Sequence, residues 1–286
     1  MVASLIFLQC VHKGKGAKAT IQDKGSDTMV NLAEVWAEEY ATVNPEADVE
    51  VSGGGSGVGI AALEKGTIDI ANASRDIKPE EAAAIKKNTG KDPVEFIVGY
   101  DGLAVYVHKD NPLNAISFDQ LAAIFEENGT ITKWSQLGII IPGEKSDKII
   151  RVSRQSSSGT YEFFREHVLK NKDFKLGSLD MNGSKETVEL IANTKTAIGY
   201  SGMGYATPGV KMLKLAKHEG DRPVDVSVEN VQNGTYPLAR SLNMYTLGQP
   251  QGAVKEYIDW ILSASGQQVV ADNGFVPVFT KKTDVK

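Results

Sequence analysis

The chain has 286 residues, of which 41% are apolar and 23% charged, so it is long enough for two lobes with real cores and has a globular rather than disordered balance. A formal net charge of -5, with no basic footprint, argues against a nucleic-acid partner. The lone cysteine, Cys10, excludes an intrachain disulfide and a cysteine-built zinc site. His12, His108, His167 and His218 lack metal-ligand spacing, and no HExxH, GxSxG, SxxK or GxxxxGK[ST] pattern occurs, so zinc, nucleophilic and nucleotide-hydrolysing chemistry lose their usual support.

Residues 1–10 form an apolar run too short to span a bilayer. Together with the polar Lys/Gly stretch from His12 to Lys18, they resemble the tail of an export signal that ends at a lipid-attachment cysteine, Cys10. No basic segment precedes the run, and Gln9 stands where a small residue is expected, which leaves an ordinary buried cysteine as the alternative. Residues 1–18 are therefore read as a leader and linker.

From Ala19 to Lys24 the pattern predicts a short strand, broken by Gly25-Ser26-Asp27-Thr28. Met29, Leu32, Ala33, Trp36, Ala37 and Tyr40 recur at helical spacing, and Asn44-Pro45 ends that helix. Ser26 or Asp27 is placed to cap it. A strand over Asp48–Val51 leads to a glycine-rich loop, Ser52 to Gly59, then a helix from Ile60 to Lys65. Gly57-Val58-Gly59-Ile60-Ala61-Ala62 also fits the dinucleotide fingerprint, with Asp76 downstream; an anion held on the helix end explains the same glycines, with Ser56 as donor.

A third strand, Thr67–Asn72, precedes Ala73-Ser74-Arg75-Asp76 and a helix started by Pro79 and stopped by Gly90. Ser74 is a donor, Arg75 a cation and Asp76 an acceptor; an acceptor beside an anion requires a ligand that carries a proton. A surface Arg/Asp pair capping the next helix is the competing reading. Val94–Val107 reads as two strands interrupted by Gly99-Tyr100-Asp101-Gly102, crossing into a second lobe. There Ser117–Glu127 and Lys185–Asn193 read as helices, Ile198–Ala206 as a Gly-rich passage of turns, and Val210–Leu215 as a strand. Pro237–Thr246 reads as a strand returning to the first lobe, and Val254, Tyr257, Ile258 and Ile261 as the apolar face of a late helix.

The centre of the second lobe is Arg154-Gln155-Ser156-Ser157-Ser158-Gly159-Thr160, between an apolar strand pattern and a helix with Tyr161, Phe164 and Val168 on one face. Ser158 and Thr160 supply hydroxyls, Gly159 allows close approach, and the first N–H groups of the helix carry the positive end of its dipole. Arg154 adds a planar fork that matches an oxyanion. Plain capping by the serines is the bland alternative.

Gly25 to Thr28, Ser52 to Gly59, Ala73 to Asp76, the Gly-Tyr-Asp-Gly-Leu-Ala-Val run at 99–105, and Arg154 with Ser158-Gly159-Thr160 occur in an order that resembles the phosphate-binding proteins of bacterial phosphate ABC importers. These are the PstS-like branch of the periplasmic solute-binding proteins, and the resemblance runs from about Thr20 to Val278. It implies an α/β, type II-like fold of two lobes, each a mixed sheet flanked by helices, with the ligand in the cleft. The lobes divide as 19–103 with 237–286, and 104–236. It further implies a non-enzymatic receptor without cofactor, acting in the periplasm or at the cell surface, monomeric, and delivering inorganic phosphate to a membrane permease. Carried across position by position, it gives Thr28, the Met29 N–H, Ser56, Arg154, Ser158, Gly159 and Thr160 as phosphate donors, with Ser26 as a further one, and Ser74 joins the site as the donor read from the residues above. The family's acidic acceptor falls at Ala-Ser-Arg-Asp, which leaves open whether Asp76 takes the ligand's proton or Arg75 takes an oxygen. Another oxyanion such as sulfate or molybdate, or a dinucleotide- or phosphate-ester-dependent enzyme, remains the alternative.

Overall fold

The computed structural model describes residues 19–278, so the leader, Cys10 and the last eight residues lie outside the described residues. In chain order the elements are β1 (Ala19–Gly25), α1 (Val30–Val43), β2 (Ala47–Ser52), α2 (Ser56–Glu64), β3 (Ile70–Ala73), α3 (Pro79–Thr89) and β4 (Pro93–His108). There follow β5 (Ala115–Ser117), α4 (Phe118–Phe125), β6 (Ile150–Arg154), α5 (Gly159–His167), β7 (Leu179–Met181), α6 (Ser184–Ala192) and β8 (Ala197–Gly202). The described residues end with β9 (Val210–Met212), β10 (Lys214–Ala216), α7 (Val228–Gln232), β11 (Ala239–Leu247), α8 (Gly252–Ile261) and α9 (Ala264–Asp272).

Among the described residues a curled sheet of nine strands runs β2-β1-β3-β11-β4-β8-β6-β7, with β9 also on β4. β1 is parallel to β2 and β3, while β11 is antiparallel to both β3 and β4. β4 is the strand the two lobes share. Its first part, Pro93 to Gly102, pairs with β11; from Leu103 to Val107 it pairs with β8. The sequence pattern predicts a break at Gly99-Tyr100-Asp101-Gly102, but the strand runs straight through. A Cβ on Gly102 would stand 2.6 Å from Val226 Cγ2 and 3.0 Å from Val231 Cγ2, so this glycine admits α7 and its approach rather than turning the chain.

Each lobe closes its own core. In the first, Leu32, Trp36 and Tyr40 of α1 pack with Ile21, Tyr257, Ile261 and Val270, and Trp36 Nε1 donates to Gly266 O at 2.9 Å. The three-and-four spacing of α1 is what presents that face. In the second, Leu103, Val105, Leu121, Phe125, Trp134, Phe164 and Tyr200 form one cluster, with the Phe164 and Tyr200 rings stacked at 4.0 Å. The glycine-rich passage after Thr196 is a fully buried strand, β8, with every residue inside; a doubly covered strand shows no alternation that would reveal it.

One core group stands out. Asp23, on the same face of β1 as Ile21, is buried, and among the described residues neither carboxylate oxygen has a hydrogen-bond partner within reach, nor do the Tyr257 hydroxyl and Asn72 Oδ1. Burial pushes the Asp23 carboxyl up to about 7, with the Asn72 side chain opposing. The folded protein therefore keeps this proton over a range where the unfolded chain, at an ordinary carboxyl value, has lost it. Stability should fall as pH rises from about 4 to about 7, by up to ~1.4 kcal/mol per pH unit, and level off above. Asp23→Asn should remove that slope and melt higher at pH 8. A stability difference between wild type and Asp23→Asn that stays constant from pH 4 to 8 would contradict this.

Candidate functional site

Four loop-to-helix junctions meet where the lobes face each other. From the first lobe, the turn after β1 brings Ser26, Asp27 and Thr28; the start of α2 brings Ser56; and the end of β3 brings Ser74. From the second, the β6-to-α5 loop brings Arg154, Ser158, Gly159 and Thr160. All of these except the partly buried Asp27 are buried, and Arg154 is 0% exposed.

The hydroxyls form a connected cluster. Ser26 Oγ donates to Ser74 Oγ at 2.9 Å, and Ser56 Oγ accepts the Ser74 N–H at 3.1 Å. Thr28 Oγ1 and Thr160 Oγ1 are paired across the lobes at 2.9 Å. Ser158 Oγ accepts the Thr160 N–H at 3.2 Å as the N-cap of α5, so capping and a role in the cluster coincide. Because Ser56 and Ser158 receive backbone N–H groups on their oxygens, their own O–H protons are left to give away. The cluster is donor-rich, and the first turns of α2 and α5 bring their positive ends to it.

Gly159 marks the closest approach. A Cβ there would stand 2.3 Å from Ser56 Oγ and 2.8 Å from Ser74 Oγ, inside any allowed contact, so the first turn of α5 meets α2 and β3 only because the side chain is absent.

Arg154 reaches Asp27 Oδ2 at 3.2 Å, Ser184 Oγ at 2.9 Å and Asn182 O at 3.0 Å, while its Nε is buried without a partner among the described residues. Burial draws the guanidinium below its usual value, opposed by Asp27, and an arginine so placed keeps its charge. Asp27 was expected only as a helix cap. Instead Met29 is the N-cap of α1, which has no side-chain cap among the described residues, and Asp27 Oδ1 accepts the Gly54 N–H at 2.8 Å.

Other residues sit differently from the sequence reading. The Met29 N–H already donates to Ser26 O at 2.9 Å, and the Met29 side chain is in the core. Arg75 turns to the start of α3, where its two terminal nitrogens hold Glu81 at 2.7 and 2.8 Å. This pairing, backed by Lys78, holds the Glu81 carboxyl below the usual range against its burial. Asp76 is exposed and meets Ser241 and Asn243 at 3.4 Å. Arg75 and Asp76 line an outer cavity of about 580 Å³ with Glu162, His167 and Arg240, at the mouth of the cleft. The Gly57–Ala62 fingerprint lies within α2, not on a strand-to-helix turn, so its glycines are not placed to cradle a pyrophosphate.

Sequence reasoning missed Arg240 and Asp101. They are directly opposed partners on β11 and β4, and Arg240 holds Asp101 Oδ2 at 2.7 and 3.0 Å. Both are buried, and Arg240 reaches Thr160 Oγ1 at 3.0 Å. Arg75, Arg154 and Arg240 thus each face a carboxylate, so local dipoles and O–H groups, not net side-chain charge, make the cluster receptive to an anion.

Lobe-to-lobe contacts continue around the cluster. Lys78 Nζ meets Glu162 Oε2 at 2.9 Å, Gly57 N donates to Ser157 O at 3.0 Å, and Ser157 Oγ donates to Gly54 O at 2.9 Å. Tyr205 OH donates to Thr28 O at 2.9 Å.

Comparisons with known proteins agree with this architecture. Residues 11–265 match the PBP superfamily domain. The phosphate-binding protein PstS of Pseudomonas aeruginosa is 35% identical over 281 residues, covering 94% of this chain and 86% of the relative. PstS of Bacillus subtilis is 33% identical, covering 94% and 83%. Among solved structures, a Clostridium perfringens chain described as a phosphate ABC transporter substrate-binding protein, with bound phosphate, superposes at a TM-score of 0.79 with 30% identity, covering 91% of this chain and 100% of that one. A Vibrio cholerae ABC-type phosphate transport receptor superposes at 0.70 with 29% identity, covering 90% and 99%. The chain belongs to the PBP superfamily and, within it, to the PstS family of phosphate-binding, substrate-binding proteins of ABC transporters.

Proposed function

We propose that this protein binds inorganic phosphate, as hydrogen phosphate, between its lobes and delivers it to the permease of an ABC importer without chemical change. The observation that carries this reading is Arg154 Nε, buried and without a partner among the described residues, at the end of β6, from which the loop leads to Ser158 and Thr160 of the hydroxyl cluster. A planar cation with a free side-on donor, joined by that loop to a cluster of O–H groups and a helix start, suits a tetrahedral oxyanion. The lobes, 19–103 with 237–286 and 104–236, would close on the ion about β4 and β11. The site works outside the cytoplasmic membrane as a monomer, and Cys10 is the point of lipid attachment.

Calorimetric titration with phosphate, sulfate and NAD tests the reading: phosphate should bind and stabilise the fold, and the other two should not. Sulfate binding as tightly as phosphate would replace phosphate by oxyanions in general, and NAD binding alone would return the enzyme reading.

The carboxylate that reads the ligand's proton is Asp27, the group beside Arg154. An ionised carboxylate repels a fully ionised sulfate but accepts a hydrogen bond from hydrogen phosphate. In competition between phosphate and sulfate at fixed pH and salt, Asp27→Asn should narrow the selectivity at least ~10-fold, since an amide can donate to either ion. Asp76→Asn should leave the ratio where it was. The reverse pattern would return the role to Asp76.

A further inference from the structure

Arg240 lies in the crossing strand β11, far in sequence from every residue given a ligand contact above. A guanidinium has five N–H donors and no acceptor. All five are placed here. Nε and one Nη2–H go to Asp101 Oδ2, at 3.0 and 2.7 Å, and the other Nη2–H reaches Thr28 Oγ1 at 3.4 Å. The two on Nη1 go to Ser74 O at 3.1 Å and Thr160 Oγ1 at 3.0 Å. None is left for a ligand.

The consequence falls on the threonines. Each of their oxygens receives a proton from Arg240, so each must turn its own O–H away from the guanidinium. The two oxygens are 2.9 Å apart, and between them they can use one of those protons; the other has to leave the pair. With an anion in the cluster, both protons can go to its oxygens while Arg240 continues to hold the threonine oxygens from behind.

We infer that Arg240 is a positioning residue which fixes Thr28 and Thr160 as hydrogen-bond donors to the ligand, and so requires bare, acceptor oxygens on that side of a tetrahedral anion. This rests on the binding reading above and deepens it: the protonated oxygen of hydrogen phosphate is turned away from the threonines. The arginine itself is held stiffly. Asp101 opposes it on the neighbouring strand, the Met203 N–H fixes Asp101 Oδ1 at 3.0 Å, and the Phe163 ring lies 5.7 Å from the guanidinium carbon. Thr28 and Ser74 belong to one lobe and Thr160 to the other, so the orientation is complete only when the lobes meet.

A double-mutant cycle on phosphate affinity separates this role from a structural one. Arg240→Lys keeps a charge opposite Asp101, but a point charge cannot serve Asp101, Ser74 and both threonines together. It should weaken binding by about ten- to hundredfold, the scale of a lost charge-assisted network. In a Thr160→Val background, the same change should cost less than about a third of that factor, because much of what it disturbs is gone. Losses that multiply independently, or an Arg240→Lys variant that binds like wild type, overturn the inference. Should Arg240→Lys fail to fold, the charge-neutral pair Asp101→Asn with Arg240→Gln takes its place in the cycle, with the same two outcomes. A wild type that binds sulfate and not phosphate would sink the phosphate reading alone, and the cycle run with sulfate would still decide the inference. A wild type that binds neither overturns both.

Discussion

Arg154→Ala is expected to weaken phosphate binding by about 2–4 kcal/mol, a loss of roughly thirtyfold to a thousandfold, while the protein still folds. The side chain is fully enclosed, and its Nε has no partner among the described residues, so a ligand oxygen is the group that would satisfy it. Removing it also leaves Asp27 without its cation in a site that must accept an anion, and the two effects act in the same direction. Arg154→Lys should not restore binding, because an ammonium cannot hold Asp27, Ser184 and a ligand oxygen with the geometry of a planar fork. Calorimetry on both variants decides the matter: affinity within a few fold of wild type for the alanine variant would remove Arg154 from the site.

Gly159→Ala should act with opposite signs on binding and on stability. The added methyl would stand 2.3 Å from Ser56 Oγ and 3.0 Å from Ser56 Cβ, and Ser56 cannot swing away without giving up the Ser74 N–H. Overpacking of this kind costs about 1–3 kcal/mol in a fixed interior. Here the two surfaces belong to different lobes, so the strain is relieved by keeping them apart, and the loss appears as affinity, at least ~10-fold. The ligand-free protein should be as stable as wild type or up to ~1 kcal/mol more so, since alanine favours helix over glycine. Small-angle scattering should show the variant failing to compact at a phosphate concentration that compacts wild type. A variant that binds and compacts normally would mean that Gly159 is not at the contact which closure requires.

Much of this architecture could be read from local patterns. Leu32, Trp36 and Tyr40 declare the buried face of α1, and the strand, hydroxyl loop, helix order around Ser26, Ser56, Ser74 and Ser158 declares four junctions with similar chemistry. What could not be read is which side chains those junctions would pair with at long range. Asp101 and Arg240 are 139 residues apart and meet because β4 and β11 share one antiparallel register. Asp27 looks like a cap beside a helix start, and its partner Arg154 comes from the other lobe. The placing of Arg75 and Asp76 away from the hydroxyl cluster has a local cause: Glu81, at the third helical position after Lys78, holds Arg75 at the start of α3, and the following residue is exposed. Glycines misled in both directions, as interruptions inside β4 and β8 that are continuous strands, and as a nucleotide loop at Gly57 and Gly59 that is the first turns of a helix.

The strand order also sets a timetable for the growing chain. β11 lies between β3 and β4, so the first lobe's part of the sheet cannot be assembled in its native order until the last fifth of the protein is present. Trp36, near the beginning, waits for Gly266 and Tyr257 to complete its surroundings. The cluster around Phe125, Phe164 and Tyr200, by contrast, is drawn almost wholly from Leu103 to Leu238, one uninterrupted stretch. A chain emerging from its N-terminus therefore exposes the face of α1 for most of synthesis, while the segment that follows can collapse early around its own aromatics. The end that starts first is finished last, and any factor that shields unfinished chains has most to cover on α1 and β1.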